Sequence, residues 1–374
     1  METTTKKARQ SNFEALRIVA MAMIVTYHYY LHGVQHAAHP QLRELFLQGS
    51  LSHRLITMFF LPGGNIGVAV FFMLTGYFMC QSEWKLQRLK KLFLQSLFYS
   101  LILFALYAVL KTLGVYSFPY TINPEWANST GGYIAFFIRS VIPISSGAWW
   151  FITAYVVLFA LIPALNKVIA SVSFRRQVAF TAVFWALWYA AGYLGFAYTD
   201  IRRAVFFYLL GALLRKTKPK GSKWLFLVLF VLSWFLLFAH SVFFTFHNMD
   251  HIDRNIALKM LKILCFYSRD AVLLPAASVT LFEFFRRLDI GQNKAINTVS
   301  SATFGVYLIH DSAVGRDLLW NKVFHCLDVQ YQSSLYPLLL MATCLAVFIG
   351  CAAIDLGRQW LFRAVGPRLS HKGH

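Results

Sequence analysis

The sequence predicts an all-α integral membrane protein, a bundle of about ten transmembrane helices with both termini cytoplasmic. Three observations predict it. Of 374 residues, 58% are hydrophobic and only 13% are charged, and the mean hydropathy is +0.55. A soluble domain is about one-quarter charged, so a chain this poor in charge must have lipid for much of its solvent. Apolar segments recur from Phe13 to Leu356 without a long polar linker, which makes residues 1–374 one transmembrane domain where length alone would suggest two. Finally, 35 Lys and Arg against 15 Asp and Glu leave a net charge of +20, gathered in short clusters between apolar spans. Membrane proteins mark their cytoplasmic side in this way. A nucleic-acid binder would instead carry a continuous basic face, so no nucleic-acid partner is expected.

A hydrocarbon core about 30 Å thick takes roughly 20 helical residues to cross. In chain order the candidate spans are residues 13–31, 55–80, 92–110, 148–165, 177–198, 201–214, 224–239, 265–285, 299–319 and 335–354. The third, fourth, seventh and tenth contain no charge. The first contains Glu14, Arg17 and His28, which suits a retained helix and not the uncharged core of a cleavable signal peptide. The sixth is the weakest, because it is short and opens with Arg202 and Arg203. Orientation argues for it. With the N-terminus inside, the basic clusters at 6–9, 85–91, 167–176, 215–223, 286–294 and 358–372 all fall inside. Omitting the sixth span would put the 215–223 cluster outside, against the charge rule.

Trp84, Trp224 and Trp360 then fall at the inner boundary and Trp149, Trp150 and Trp320 at the outer one, as headgroup belts require. The outer segments 31–54, 111–147 and 246–267 carry most of the Asn, His and Pro. Cys80, Cys265, Cys326, Cys344 and Cys351 form no CxxC pair, so neither a disulfide framework nor a zinc site follows.

Ionisable residues at membrane depth are costly, so each is a functional candidate. Arg17 and His28 are eleven residues apart. At 100° and 1.5 Å per residue that is about three turns plus 20°, over about 16 Å. Both face one way, Arg17 toward the cytoplasmic end and His28 in the outer half. The plain alternative has Arg17 snorkelling beside Glu14 and His28 bonded within the bundle. Arg88 and Lys91, in the stretch QRLKK at 87–91, are three apart. On a helix they share a face and suit phosphate groups, although orientation alone also demands a basic cluster there. His310 and Asp311 fall about halfway along the ninth span. They could orient a base, bind a sugar hydroxyl or simply tie helices together. Asp270, Glu283 and Asp355 lie near span ends beside Arg269, Arg286 and Arg358 and read as paired. His32, His36, His39 and His53 lack the carboxylate that would make a metal site persuasive, so no metal is expected.

These features, in this order, resemble the acyltransferase-3 family of membrane O-acyltransferases, which includes the bacterial surface-glycan O-acetyltransferases. Residues 12–28 (NFEALRIVAMAMIVTYH) match its first-helix pattern of an Arg, ten residues, then a His. Residues 65–79 (NIGVAVFFMLTGYFM) look like its second helix, ending in a Ser-Gly-Tyr/Phe turn, with Thr75 in place of Ser. Arg88 and Lys91 fall at its basic pair, where Lys91 keeps the charge of the usual Arg but loses the bidentate fork. Residues 147–155 (GAWWFITAY) and 300–310 (SSATFGVYLIH) resemble its Trp-rich segment and its late Tyr-Leu-x-His helix.

The resemblance implies an acyl-CoA-dependent O-acyltransferase, with acetyl-CoA or another short acyl-CoA as donor, in the plasma membrane, as in a bacterial inner membrane. The acceptor would be a hydroxyl of a cell-surface or lipid-linked glycan. The donor's nucleotide would meet Arg88 and Lys91, its pantetheine arm would pass Arg17, and the thioester would reach His28. His28 would serve as general base or as an acyl relay; the sequence leaves both open. Trp150 and Tyr155 would line the acceptor end, with His310 and Asp311 nearby, or else the aromatic pair anchors the helix at the interface. The rival reading is a transporter or flippase for a lipid-linked glycan or an anionic solute. Such folds often have two related halves, and none is visible in the sequence.

Overall fold

In lipid a chain satisfies its backbone polar groups only by forming helices or closing a barrel, and helix is what this sequence forms. The computed structural model describes residues 10–35, 40–116, 124–193, 199–246 and 272–370, and no strand occurs among them. Helix α1 (Ser11–His28) runs on as a π-helical segment, Tyr29–Gln35. Then follow α2 (Pro40–Gln48), α3 (Leu51–Phe59), α4 (Pro62–Met79), α5 (Leu86–Thr112), α6 (Pro124–Asn128), α7 (Thr130–Val141) and α8 (Trp150–Ser171). The chain continues with α9 (Phe174–Tyr193), α10 (Thr199–Lys216), α11 (Lys223–Phe246), α12 (Leu274–Arg286), α13 (Lys294–His310), α14 (Ala313–Asp317) and α15 (Tyr336–Ser370). Two π-helical segments, Leu318–Val323 and Cys326–Gln330, separate the last two helices.

Among the described residues each expected span is largely helical, the second being divided between α3 and α4; the fifth is described to residue 193 and the eighth from residue 272. By length and composition, five helices can cross a membrane: Leu51–Met79, Leu86–Thr112, Trp150–Ser171, Lys223–Phe243 and Tyr336–Val365. Helices α1, α10 and α13 are shorter, with 18, 18 and 17 residues, and lie largely inside the protein. In α10, Ala204 through Leu209 and Ala212 are all buried. A helix surrounded by protein needs no lipid-matched apolar run, which explains why α10 was the faintest span in the sequence.

Close backbone contact holds this inner layer together. A Cβ on Gly76 of α4 would collide with the Tyr208 carbonyl, and one on Gly211 of α10 with the Met73 carbonyl. Each helix therefore notches into the other, the small-residue packing that substitutes for hydrophobic drive within a bilayer. A Cβ on Gly67 would likewise meet the Ala20 carbonyl at 2.5 Å, bringing α4 against α1. At the other side of α13, the fully buried Asp355 of α15 accepts from Gln95 (3.1 Å), Tyr99 (2.8 Å), Arg358 (2.9 Å) and Gln359 (2.8 Å). The expected pairing of Asp355 with Arg358 is present, and Glu283 pairs with Arg286 at 2.8 Å. Asp270, His36, His39 and Cys265 lie outside the described residues.

The structure corrects several expectations. The ninth span is not one helix: α13 ends at His310, and α14 begins after Ser312, whose Oγ accepts from the Gly315 N–H at 2.8 Å. A capping hydroxyl offered to the chain just beyond Asp311 starts a new helix there. Thr75-Gly76-Tyr77 is not a turn either, since α4 continues to Met79. Parts of the outer segments 31–54 and 111–147 are helical. Among the tryptophans, Trp84, Trp224 and Trp360 are exposed as a headgroup belt requires, but Trp149 and Trp320 are buried in protein. Trp149 and Trp320 therefore pack protein against protein.

The α4–α10 contact is testable. Gly211→Val should destabilise the protein by about 1–3 kcal/mol, because two backbones must separate to admit the side chain. Gly350→Ala, on α15 with nothing within 4 Å of the added carbon, should be neutral or slightly stabilising. Thermal unfolding in detergent, followed by tryptophan fluorescence, measures both.

Candidate active site

Helix α1 supplies the axis of the site. One face of it, together with α4, α8, α10 and α13, encloses a cavity of about 660 Å³. Glu14, Arg17 and Ser300 line one end, and His28, His32, Asp311 and Arg316 line the other. The common face inferred from the Arg17–His28 spacing is thus the lining of a single elongated cavity. Trp150 and Tyr155, one helical turn and a residue apart on α8, also line it, as do Thr75 of α4 and Asn65 and Arg203 beyond them.

At the Arg17 end, the guanidinium Nη1 donates to Glu14 Oε1 at 2.8 Å. Glu14 Oε2 accepts from Ser300 Oγ at 2.5 Å, which fastens α1 to α13. The suspected Arg17–Glu14 pair is therefore real, and it stands in the wall of the cavity. Its guanidinium remains about one-third exposed, free to meet a second anion.

The His28 end is assembled around Asp311, which is fully buried at the break after α13. Its Oδ1 accepts from Arg316 Nε at 2.9 Å, with His32 Nε2 at 3.3 Å and His28 Nδ1 at 3.6 Å. Arg316 neutralises the carboxylate, so neither imidazole is needed as its counter-ion. His28, His32 and Asp311 each offer a ligand atom within 4.8 Å of the others, the donor set of a transition-metal site. With Arg316 already on the carboxylate, a second cation there would meet like-charge repulsion.

His310 does not line the cavity. It lies fully buried behind His28, and the two rings determine each other's tautomers. His310 Nδ1 is 2.6 Å from the Val306 carbonyl oxygen, which can only accept, so Nδ1 bears the proton. In the neutral ring Nε2 then has only a lone pair. His28 Nδ1, 2.9 Å away, must be the donor of that contact. The remaining nitrogen of His28, Nε2, is left with an unshared pair. An imidazole held by its neighbour in this tautomer is equipped to take a proton or attack a carbonyl carbon.

Arg88 and Lys91 do not line the cavity. Both are exposed in the first turns of α5, where Arg88 Nη1 donates to Ser82 Oγ at 3.1 Å. The next residue, Leu92, does line it, so the two cations sit just outside its Arg17 end.

The acyltransferase domain of the acyltransferase-3 family matches residues 10–356. The chain belongs to this family. No curated protein and no solved structure matches it. As an acyltransferase-3 member it is a multi-pass membrane acyltransferase, and the cavity that joins Arg17 to His28 is the candidate place for its chemistry.

Sequence reasoning missed three members of this candidate site. His32 follows His28 by four residues, a one-face spacing that was there to be used. Arg316 follows Asp311 by five, across a helix break that hid their contact. Arg203, which donates to Asn65 Oδ1 at 3.1 Å, counted only as a blemish on a weak span. The Tyr29–Gln35 segment adds a π-helical register shift beside His28, a feature frequent at functional sites.

The tautomers can be observed directly. Imidazole ¹⁵N spectra, assigned with His28→Ala and His310→Ala, should show both rings protonated at Nδ1. A His28 signal from an Nε2–H form would contradict the derived arrangement.

Proposed function

We propose that this acyltransferase moves a short acyl group, acetyl in the simplest case, from cytosolic acyl-CoA to a hydroxyl of a cell-surface or lipid-linked glycan. The observation that carries the reading is the single cavity with Arg17 at one end and the free Nε2 of His28 at the other. A donor too charged to cross lipid can leave its nucleotide outside, near Arg88 and Lys91, and pass its arm by Arg17 to the thioester position. At His28, Nε2 takes the proton from the acceptor hydroxyl while that oxygen bonds to the thioester carbonyl carbon. The C–S bond breaks, and the proton returns from His28 to the leaving thiolate. Products are an ester and free CoA. His310 is a positioning residue that holds His28 in the required tautomer. Trp150 and Tyr155 offer an aromatic wall to the acceptor, with Asp311 holding the charged end of the site together.

The same reading has the chain cross the membrane ten times, in a plasma membrane such as a bacterial inner membrane, with both ends cytoplasmic. Its support is the distribution of basic clusters and the helical character of the described residues in the expected spans. A transporter would also use buried Arg and His, but a tautomer-setting histidine pair serves proton abstraction more directly than passage.

His28→Ala should lower acyl transfer from acetyl-CoA to a membrane-glycan fraction by about 100- to 10,000-fold. Abundance and insertion should stay near wild type. A correctly inserted His28→Ala protein with near-normal transfer would remove His28 from the mechanism. Separately, a reporter fused after Lys220 should read cytoplasmic; an outside reading there would eliminate α10 as a crossing.

A further inference from the structure

At the end of the bundle that bears Arg88 and Lys91, α13 and α15 draw apart. Lys294 and Asn297 on one helix face Trp360 and Arg363 on the other across a cleft of about 560 Å³, closed on one side where Gln359 Nε2 donates to the Ser301 carbonyl at 3.2 Å. That is within the range of small-molecule sites, about 300–1,000 Å³. Both charged residues in its wall are cations. Among the described residues neither has a carboxylate partner, and Arg363 Nη2 donates to the Gln359 side-chain oxygen at 3.2 Å. The indole of Trp360 is 70% exposed, a flat apolar ring left bare beside two positive charges. Ser301 stands in the wall of this cleft and in the wall of the reaction cavity, so the two spaces adjoin.

A basic end is expected on the cytoplasmic side of any membrane protein. That demand does not hollow a cleft between two helices or lead it to the reaction cavity. We propose that the cleft holds the adenosine 3′-phosphate end of the acyl-CoA donor, resting on the donor assignment made above. The base stacks on Trp360, as nucleobases do on exposed aromatic rings. The phosphates lie between Lys294 and Arg363. Arg88 and Lys91 are exposed on α5 just before the cavity-lining Leu92, and α5 packs on α15 through Phe98 and Phe362 at 5.2 Å; they take the pyrophosphate. From Ser301 to His310, α13 rises about 14 Å, the path along which the pantetheine arm carries the thioester to His28. An anionic lipid headgroup would use the same cations, but it has no planar base for the indole and no reason to adjoin the reaction cavity.

The test measures equilibrium binding to the full chain in neutral detergent, with acetyl-CoA, adenosine 3′,5′-bisphosphate and S-acetylpantetheine as separate probes. All three substituted residues line an open cleft, and gel filtration checks that the variants remain folded. Trp360→Ala and the double variant Lys294→Gln/Arg363→Gln should each weaken acetyl-CoA and the bisphosphate by about tenfold or more. S-acetylpantetheine, which lacks the nucleotide, should bind them as it binds wild type. Acetyl-CoA binding that is equal in wild type and variants overturns the cleft assignment and leaves the donor assignment standing. A wild-type chain that binds no acetyl-CoA defeats the donor assignment, and the cleft assignment with it. Variants that lose only phosphatidylglycerol, measured in nanodiscs, would make the cleft a lipid site and overturn the proposal.

Discussion

Two helices far apart in sequence, α1 and α13, are laced together by polar contacts at both ends, and the site depends on that lacing. Ser11 Oγ donates to Asn297 Oδ1 at 3.0 Å, Ser300 Oγ donates to Glu14, and His28 bonds His310. Each pair bridges more than 280 residues of chain. In lipid, apolar surfaces gain little by meeting, so interhelical hydrogen bonds carry a larger share of specificity than in water. Without this register, Arg17 and His28 would still share a face of α1, but that face would have no defined partner. His28 would also lack the neighbour that determines which nitrogen is free.

The glycine contacts and the Asp355 cluster do a different job. Gly76 and Gly211 bring α4 and α10 to backbone contact, so α10 can sit inside the bundle and deliver Arg203 to the cavity. Asp355 ties α5 to α15 and packs where a side chain on Gly305 of α13 would stand. Leu92 and Ser301 thereby reach the Arg17 end of the cavity, close to the exposed cations of α5. Breaking a buried, multiply bonded carboxylate of this kind costs about 3–5 kcal/mol in soluble proteins.

Part of the candidate site could be read from the chain because its spacing falls within a single helix. Arg17 and His28 needed only the helical period, whereas Trp150 and Tyr155, five residues apart and so on different faces, came from the family resemblance alone. His310 was expected beside the acceptor end, but it stands behind His28 and contacts that ring and not the cavity. That relation depends on which side of α13 faces α1, and no local pattern reports it. The break at Asp311 was invisible because an apolar run through 299–319 looks the same whether it is one helix or a helix, a cap and a second helix. Once the break forms, Arg316 swings back onto Asp311, and His32 enters the same cluster from the π-helical turn.

Composition and hydropathy were enough to determine an all-helical membrane protein, because a backbone in lipid has few alternatives and apolar length is a local property. Charge clustering supported an orientation for the same reason. The order of short motifs was enough to place the chain among the acyltransferases. Only the tertiary structure decided that α10 lies inside, that Trp149 and Trp320 pack within protein, and that His28 Nε2 is the free nitrogen. It alone also brought Lys294 and Arg363 to face one another across a cleft. These are relations between helices, and they depend on backbone approach and on which hydrogen-bond donors find acceptors in a medium that supplies none.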